Sequence, residues 1–438
     1  MNAANSTFLI LSSILVFFMT PGLAFFYGGL VSKRNVVNTL LSVFMICGLA
    51  IILWLAVGYS LSFSGNAFGV VGDLKAVWLH GVDLTGLTPT KITNGLYLIF
   101  QMMFAIITPA LFVGAVVGRI RFKFLLSFII CWSVLIYYPM VHMVWDNGFL
   151  ANLGVIDFAG GTVVHINAGV TALVLSIFLG PRRKFGQDTE AHYNVLWVLL
   201  GTAILWIGWY GFNAGSALAM NDIAVQAFLT TTVATATSMM TWMIIEMITR
   251  GKPTLVGVCT GTLCGLVGIT PACGYVTVSG AFWIGLLATF ASYGFISLIK
   301  PRLGIDDALD AFGCHGVSGI VGSILTGLFA SKQVNSSIAQ SGLFYGGGFK
   351  LFGLQLLATA FTIAFTAAVC TIIIIGLRRV VKMRVDEQEE ALGLDQGEHG
   401  EVADYTVPMS KELSSMQAHS EEFKGQLSQL LNHQERFR

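Results

Sequence analysis

The chain has 438 residues, of which 55% are hydrophobic and 11% charged, with a formal net charge of +1. Soluble globular domains carry about a quarter charged residues, so this composition excludes a soluble enzyme or carrier and describes a polytopic membrane protein. No basic patch stands outside the short connections, which excludes a nucleic-acid-binding surface.

A helix that spans a bilayer needs about 20 predominantly apolar residues. Eleven such segments are predicted, at roughly 8–31, 36–63, 95–118, 124–145, 160–180, 194–217, 223–248, 254–271, 276–299, 315–330 and 350–377. The expected fold is therefore an all-α polytopic bundle of eleven transmembrane helices. Residues before the first segment lack a basic run, so that segment reads as a retained span rather than a signal peptide. The tenth segment is short and rich in glycine.

Basic residues set the orientation. Lys33 and Arg34; Arg119, Arg121 and Lys123; Arg182, Arg183 and Lys184; Arg250 and Lys252; Lys300 and Arg302; and Arg378, Arg379, Lys382 and Arg384 fall in alternate connections. The connections between them hold only Lys75, Lys91, Lys332 and Lys350. The N-terminus is expected outside and the C-terminus in the cytoplasm of a multi-pass cell-membrane protein. Glycines within the spans let helices approach closely, and Gly257, Gly261 and Gly265 recur every four residues along one face. The seven cysteines are odd in number and lack metal-ligand spacing, so they read as packing residues. No metal site or cofactor is expected.

Eleven spans divide into an inverted repeat of five plus five with one extra helix, because an odd repeat length forces opposite orientations. His165 then lies in the fifth span and His315 in the tenth, each eight residues after an aspartate, Asp157 and Asp307. An ionisable side chain inside a span is costly and by default marks a pathway or relay. A low-dielectric site favours neutral imidazoles. Two in contact can fix each other's tautomers, line a narrow pore, accept a hydrogen bond from a small solute or relay a proton. The plain alternative is a packing histidine bonded to a backbone carbonyl.

Asp157 can cap the Ala159–Gly161 turn, or its charge can favour a cation just outside a pore. Asp307 and Asp310 have the same capping role open to them. Phe104, Trp145 and Phe212 supply aromatic faces that attract a desolvating cation, and the Ser216 hydroxyl can accept a hydrogen bond from it. Either phenylalanine alone would read as core.

Five segments resemble the ammonium transporter family: Asp157-Phe-Ala-Gly-Gly-Thr-Val-Val-His165-Ile-Asn-Ala, Gly208-Trp-Tyr-Gly-Phe-Asn-Ala-Gly-Ser216, Phe26-Tyr-Gly-Gly-Leu30, Thr270-Pro-Ala-Cys-Gly274 and Asp310-Ala-Phe-Gly-Cys-His315-Gly-Val. The resemblance runs from the first span to about Asp404 and favours the bacterial Amt branch over the Rh proteins. It implies an eleven-helix protomer with its own pore, assembled as a homotrimer in the lipid bilayer. It also implies external recruitment of ammonium at Phe104, Trp145 and Ser216, supported by the buried Asp157. Phe104 and Phe212 would form the gate, and His165 and His315 the pair beyond it. Ammonium would deprotonate and cross as ammonia, with separate proton movement. Chemistry supports that substrate: burying an intact ion costs several kcal/mol (~5) even after relaxation, and ammonium, unlike potassium, can shed a proton.

Residues 1–384 are expected to form the ammonium-conducting domain. Residues 385–407 resemble the family's cytoplasmic tail, which takes part in gating and in many bacterial members lies where a P-II-type signal-transduction protein docks. Residues 408–438 form an additional extension with Leu413, Met416, Ser420, Phe423, Leu427 and Leu430 at three- and four-residue steps. That pattern suits an amphipathic tail or a short three-stranded bundle. Two other functions fit the same chain. One is an ammonium sensor that signals through a partner, the other an Rh-like channel for neutral gas. No nucleophile–base or metal constellation suggests an enzyme.

Overall fold

The computed structural model describes residues 1–183, 185–186 and 192–403. The described residues are helical and contain no strand beyond isolated bridges. Ten helices are long and apolar enough to cross a membrane: α1 (Ala3–Leu30), α2 (Lys33–Phe63), α3 (Asn94–Val116), α4 (Phe122–Leu153), α5 (Gly161–Leu179), α6 (Val195–Gly215), α7 (Asp222–Arg250), α9 (Val278–Leu303), α10 (Phe312–Phe329) and α11 (Phe349–Leu377). The eighth expected span coincides with a shorter apolar helix, α8 (Leu255–Ile269), of 15 residues. At 1.5 Å per residue it is about 22 Å long. Thr254 caps its start and a turn at Thr270–Tyr275 ends it.

Packing explains why α8 need not be longer. Its glycine face lies on α7, with Gly257, Gly261 and Gly265 set against Glu246, Trp242 and Ser238 in turn. Both sets step by four residues, so one ridge of α7 fills one groove of α8. Every residue from Gly261 to Gly274 is buried by protein, and backbone enclosed by other helices is not required to span lipid.

α1 packs along α6, while α5 and α10 pack against each other near the centre. Two pairs of helices carry π-helical turns at matching places. α4 has one at Ser133–Tyr137 and α9 at Phe295–Ile299; α5 begins with one at Gly161–Ile166 and α10 with one at Phe312–Val317. Such turns widen the helix locally and rotate the side chains that follow. Here two of them carry His165 and His315.

After α11 the chain runs back across one end of the bundle. Val385 N–H donates to the Arg119 carbonyl, and a one-turn helix, α12 (Glu387–Leu392), follows with a capping box between Asp386 and Glu389. Arg121 pairs with Glu389 at 2.7 Å and Glu398 at 3.2 Å, and Arg384 with Glu390 at 2.8 Å. Leu394 is fully buried, and the Asp395 carboxylate accepts the Asn38 N–H at 2.7 Å. The expected 408–438 extension lies outside the described residues.

Candidate functional site

The local sequence builds each half of the site. Gly160 has φ 120°, a conformation open to glycine, and it turns the chain into α5. Asp157 then caps the turn: Oδ1 accepts from Gly160 N at 2.8 Å and Gly161 N at 2.6 Å, and Oδ2 from Thr162 N at 2.8 Å and Thr162 Oγ1 at 2.5 Å. Asp157 is only 6% exposed. Its carboxylate is thus turned into backbone, and the capping role is the one its geometry serves.

Five rings form one continuous file. Trp145 meets Phe104 edge-on at 5.6 Å between ring centroids, and Phe104 meets Phe212 at 4.3 Å with 36° between planes. Phe212 lies 5.9 Å from His165, and His165 stacks on His315 at 5.5 Å and 11°. Phe104, Phe212, His165 and His315 are all buried. The two imidazole planes are near-parallel, and no hydrogen bond joins the pair. Neither ring nitrogen of His165 nor Nδ1 of His315 has a partner among the described residues. Those three nitrogens are therefore open donor or acceptor sites for a small polar solute.

Trp209 was not singled out for a role, yet it stacks on His165 at 5.3 Å and 17°. Its Nε1 donates to Thr270 Oγ1 at 2.9 Å, Thr270 donates to Asn213 Oδ1 at 3.3 Å, and Asn213 Nδ2 donates to Thr231 at 2.9 Å. This chain of hydrogen bonds holds the indole flat against the imidazole. The three-residue spacing from Trp209 to Phe212 places both on one helix face, which was the available signal.

At the Trp145 end a cavity of about 440 Å³ is lined by Trp145, Asp157, Phe158, Ser216, Tyr275 and Asn335, among others. Trp145 Nε1 donates to the Asp157 carbonyl at 2.9 Å, and Ser216 Oγ donates to the Phe212 carbonyl at 2.8 Å, which leaves the hydroxyl oxygen able to accept. Phe104 is buried and meets the Trp145 ring edge-on. At the opposite end a second cavity of about 330 Å³ includes Cys314, Asp310, Ser32 and Asn35.

Arginine and aspartate side chains gather at that second end. Arg182 binds Asp306 through both Nε, at 2.9 Å, and Nη2, at 2.8 Å, and the buried Arg119 donates to the Asp306 carbonyl. Burial raises the Asp306 carboxyl, but Arg119 and Arg182 outweigh it and hold the group below its ordinary range. Asp307 behaves oppositely: burial, then the Asp310 charge, push it up to about 6. Among the described residues no cluster of three or more metal-ligating side chains occurs.

Residues 7–404 match the Ammonium Transporter Family. The chain is 44% identical over 405 residues to the ammonium transporter of Aquifex aeolicus (strain VF5), covering 92% of this chain and 94% of that one. The solved structure of Candida albicans Mep2 is similar at a TM-score of 0.83 and 32% identity, covering 89% of this chain and 88% of that one. A solved structure described as a sensor Amt protein has a TM-score of 0.82 at 28% identity, covering 90% and 98%.

Proposed function

From the premise that this chain belongs to the ammonium transporter family, we propose that it recruits ammonium at Phe104, Trp145 and Ser216, removes its proton and conducts ammonia past Phe104, Phe212, His165 and His315. The observation that carries this reading is the unbroken ring file from Trp145 to His315. Its upper part offers aromatic faces and a hydroxyl to a cation. Its lower part offers uncharged nitrogens without protein partners, which can hydrogen-bond ammonia but give no cage for an ion.

The phenyl pair closes the file, so a hydrated ion cannot pass as it stands. Ammonium escapes the desolvation cost by releasing its proton; potassium has none to release. The proton moves separately from the ammonia. Asp157 supports the recruitment site from behind, through its cap on α5 and its carbonyl to Trp145.

The same reading takes α8 as the eighth of eleven spans, arranged as five plus five with one extra helix. It places the N-terminus outside and the C-terminus in the cytoplasm of the cell membrane. The protein forms a homotrimer, and the docked tail offers a face for a P-II-type partner. The likeness to a sensor Amt protein keeps one other reading in play: ligand binding that signals with little flux.

The test is a current recorded on a solid-supported membrane after an ammonium pulse, with the protein in liposomes. A parallel sample carries His165→Ala with His315→Ala. We expect a wild-type current that the double variant loses. Internal alkalinisation without current would replace the mechanism by neutral ammonia conduction, and silence in both assays would favour the sensor.

A further inference from the structure

A third buried histidine lies outside the ring file. His142 is fully buried on α4, one turn before Trp145. Its Nδ1 sits 3.1 Å from the Ser62 carbonyl of α2 and 3.2 Å from Asp146 Oδ2. Both neighbours are acceptors, so the proton belongs on Nδ1. Nε2 is buried without a partner among the described residues, so turning the ring over would forfeit both contacts and gain none. Keeping a half-satisfied imidazole in a dry position is unfavourable compared with an aliphatic side chain. Its N–H therefore has work that packing alone does not explain.

That work concerns Trp145. The α4 helix is interrupted after this residue: Asp146 leaves helical geometry at φ −120° and ψ −146°, Gly148 N–H returns to the His142 carbonyl at 3.1 Å, and helix resumes at Phe149. The Asp146 carboxylate folds back one turn onto His142, while Ser62 ties the same ring to α2. The turn of α4 before this break is thereby fixed at both its backbone and its side chains, with Trp145 between the two tethered residues.

We propose that His142 and Asp146 are positioning residues that set the pitch of Trp145 and so determine how tightly the Trp145 cavity takes a cation. The inference rests on reading that cavity as the recruitment site. Neither residue touches the cation; both act through the indole.

The experiment measures the ammonium concentration that gives half-maximal current for liposomes carrying wild type, His142→Ala, His142→Asn, Asp146→Ala, Asp146→Asn or Trp145→Leu. Losing one hydrogen bond of ordinary net strength corresponds to about a fivefold change. We therefore expect His142→Ala and Asp146→Ala each to raise half-saturation about fivefold while the maximal current changes by less than about twofold. His142→Asn keeps an N–H near the Nδ1 position and should recover most of the affinity. Asp146→Asn keeps an acceptor and should shift it little. The double alanine variant should be no worse than either single variant, because both break one linkage.

If Trp145→Leu shifts half-saturation and the His142 and Asp146 variants do not, the positioning role is overturned and the recruitment site stands. A loss of maximal current at unchanged half-saturation also overturns it, since that is a general structural defect. An Asp146→Asn shift as large as that of Asp146→Ala, with His142→Ala silent, would assign the effect to charge and overturn it too. No shift in Trp145→Leu would remove the recruitment site itself. Should His142→Ala fail to fold, the two Asp146 variants decide the matter alone, because Asp146 is partly exposed.

Discussion

Asp157 and Asp307 make the same two hydrogen bonds in opposite halves of the chain. In each, Oδ1 accepts from the N–H four residues on, Gly161 at 2.6 Å or Ala311 at 3.0 Å. In each, Oδ2 accepts from the N–H five residues on, Thr162 at 2.8 Å or Phe312 at 2.7 Å. Three residues after each aspartate the backbone is left-handed, at Gly160 (φ 120°) and Asp310 (φ 58°). Eight residues after each comes a histidine of the stacked pair. The caps thus fix where each π-helical turn begins and, through it, which way each imidazole faces.

Replacing the first cap separates support from charge. Asp157→Asn keeps one acceptor oxygen and should fold and transport at reduced rate. Asp157→Ala strands several buried N–H groups, each costing about 1–3 kcal/mol. We expect a clear fall in melting temperature for Ala relative to Asn, measured in detergent by fluorescence. Equal melting of the two variants would refute the capping role.

Gly169 and Gly319, each four residues after a histidine, pack against the other histidine's neighbourhood. A methyl on Gly319 would lie 3.0 Å from His165 Cβ and 3.2 Å from Ile166 N, and one on Gly169 would meet the Gly316 backbone. Alanine gains about 1 kcal/mol of helix propensity over glycine, but overpacking against backbone costs about 1–3 kcal/mol. The clash should win at Gly169, where no side chain can yield. Gly169→Ala is expected to lower both the melting temperature and ammonium flux, with Gly319→Ala milder in both assays.

The proposed phenyl gate makes a selectivity prediction. With Phe104 and Phe212 at 4.3 Å, Phe212→Ala removes one of the two rings that close the file. Methylammonium should then cross faster, and potassium should compete with ammonium more strongly than in wild type. Competition curves in liposomes measure this; unchanged discrimination would place the selective step elsewhere.

Asp307 gives a pH signature. Burial and then the Asp310 charge raise its carboxyl from the ordinary 3.8 to about 6. Between those values the folded protein holds a proton that the unfolded chain has released. The contribution is therefore complete below 3.8 and is lost as pH rises through about 6. Asp307→Asn keeps the cap without a titrating group, so its melting temperature should fall less than that of wild type over this interval. Parallel curves would contradict the assignment.

The docked tail predicts a local defect. Gly393 has φ 101°, and a methyl there would press on Arg34, 2.6 Å from its carbonyl oxygen. Gly393→Ala should loosen residues 385–403 while the bundle stays folded. Hydrogen exchange should rise in that segment and at Asn38, whose N–H the Asp395 carboxylate holds. Exposed ion pairs contribute only about 0–1 kcal/mol each, so a single Arg121→Ala change should have the smaller effect.

Much of the architecture was legible beforehand because lipid imposes one simple demand, that apolar runs be helical and long enough. Ten of the eleven segments read from hydropathy appear as long apolar helices. Why α8 can be so short was not legible: only its enclosure by α7 and other helices permits a 15-residue helix. The glycine ladder at Gly257, Gly261 and Gly265 was visible as a face, but its partner on α7 was not.

The amino-acid sequence by itself determined the helical class, the two histidines with their aspartates at equal spacing, and the resemblance to the ammonium transporter family. These are local or compositional properties, set by residue order alone. Only the tertiary structure decided that Phe104, Trp145, Phe212, His165 and His315, from five different helices, share one file. It alone turned the Asp157 carboxylate into backbone, set Trp209 against His165 and tied His142 to Ser62 and Asp146. Such contacts join residues far apart in the chain, and no periodicity along one helix records the neighbours that packing will bring to it.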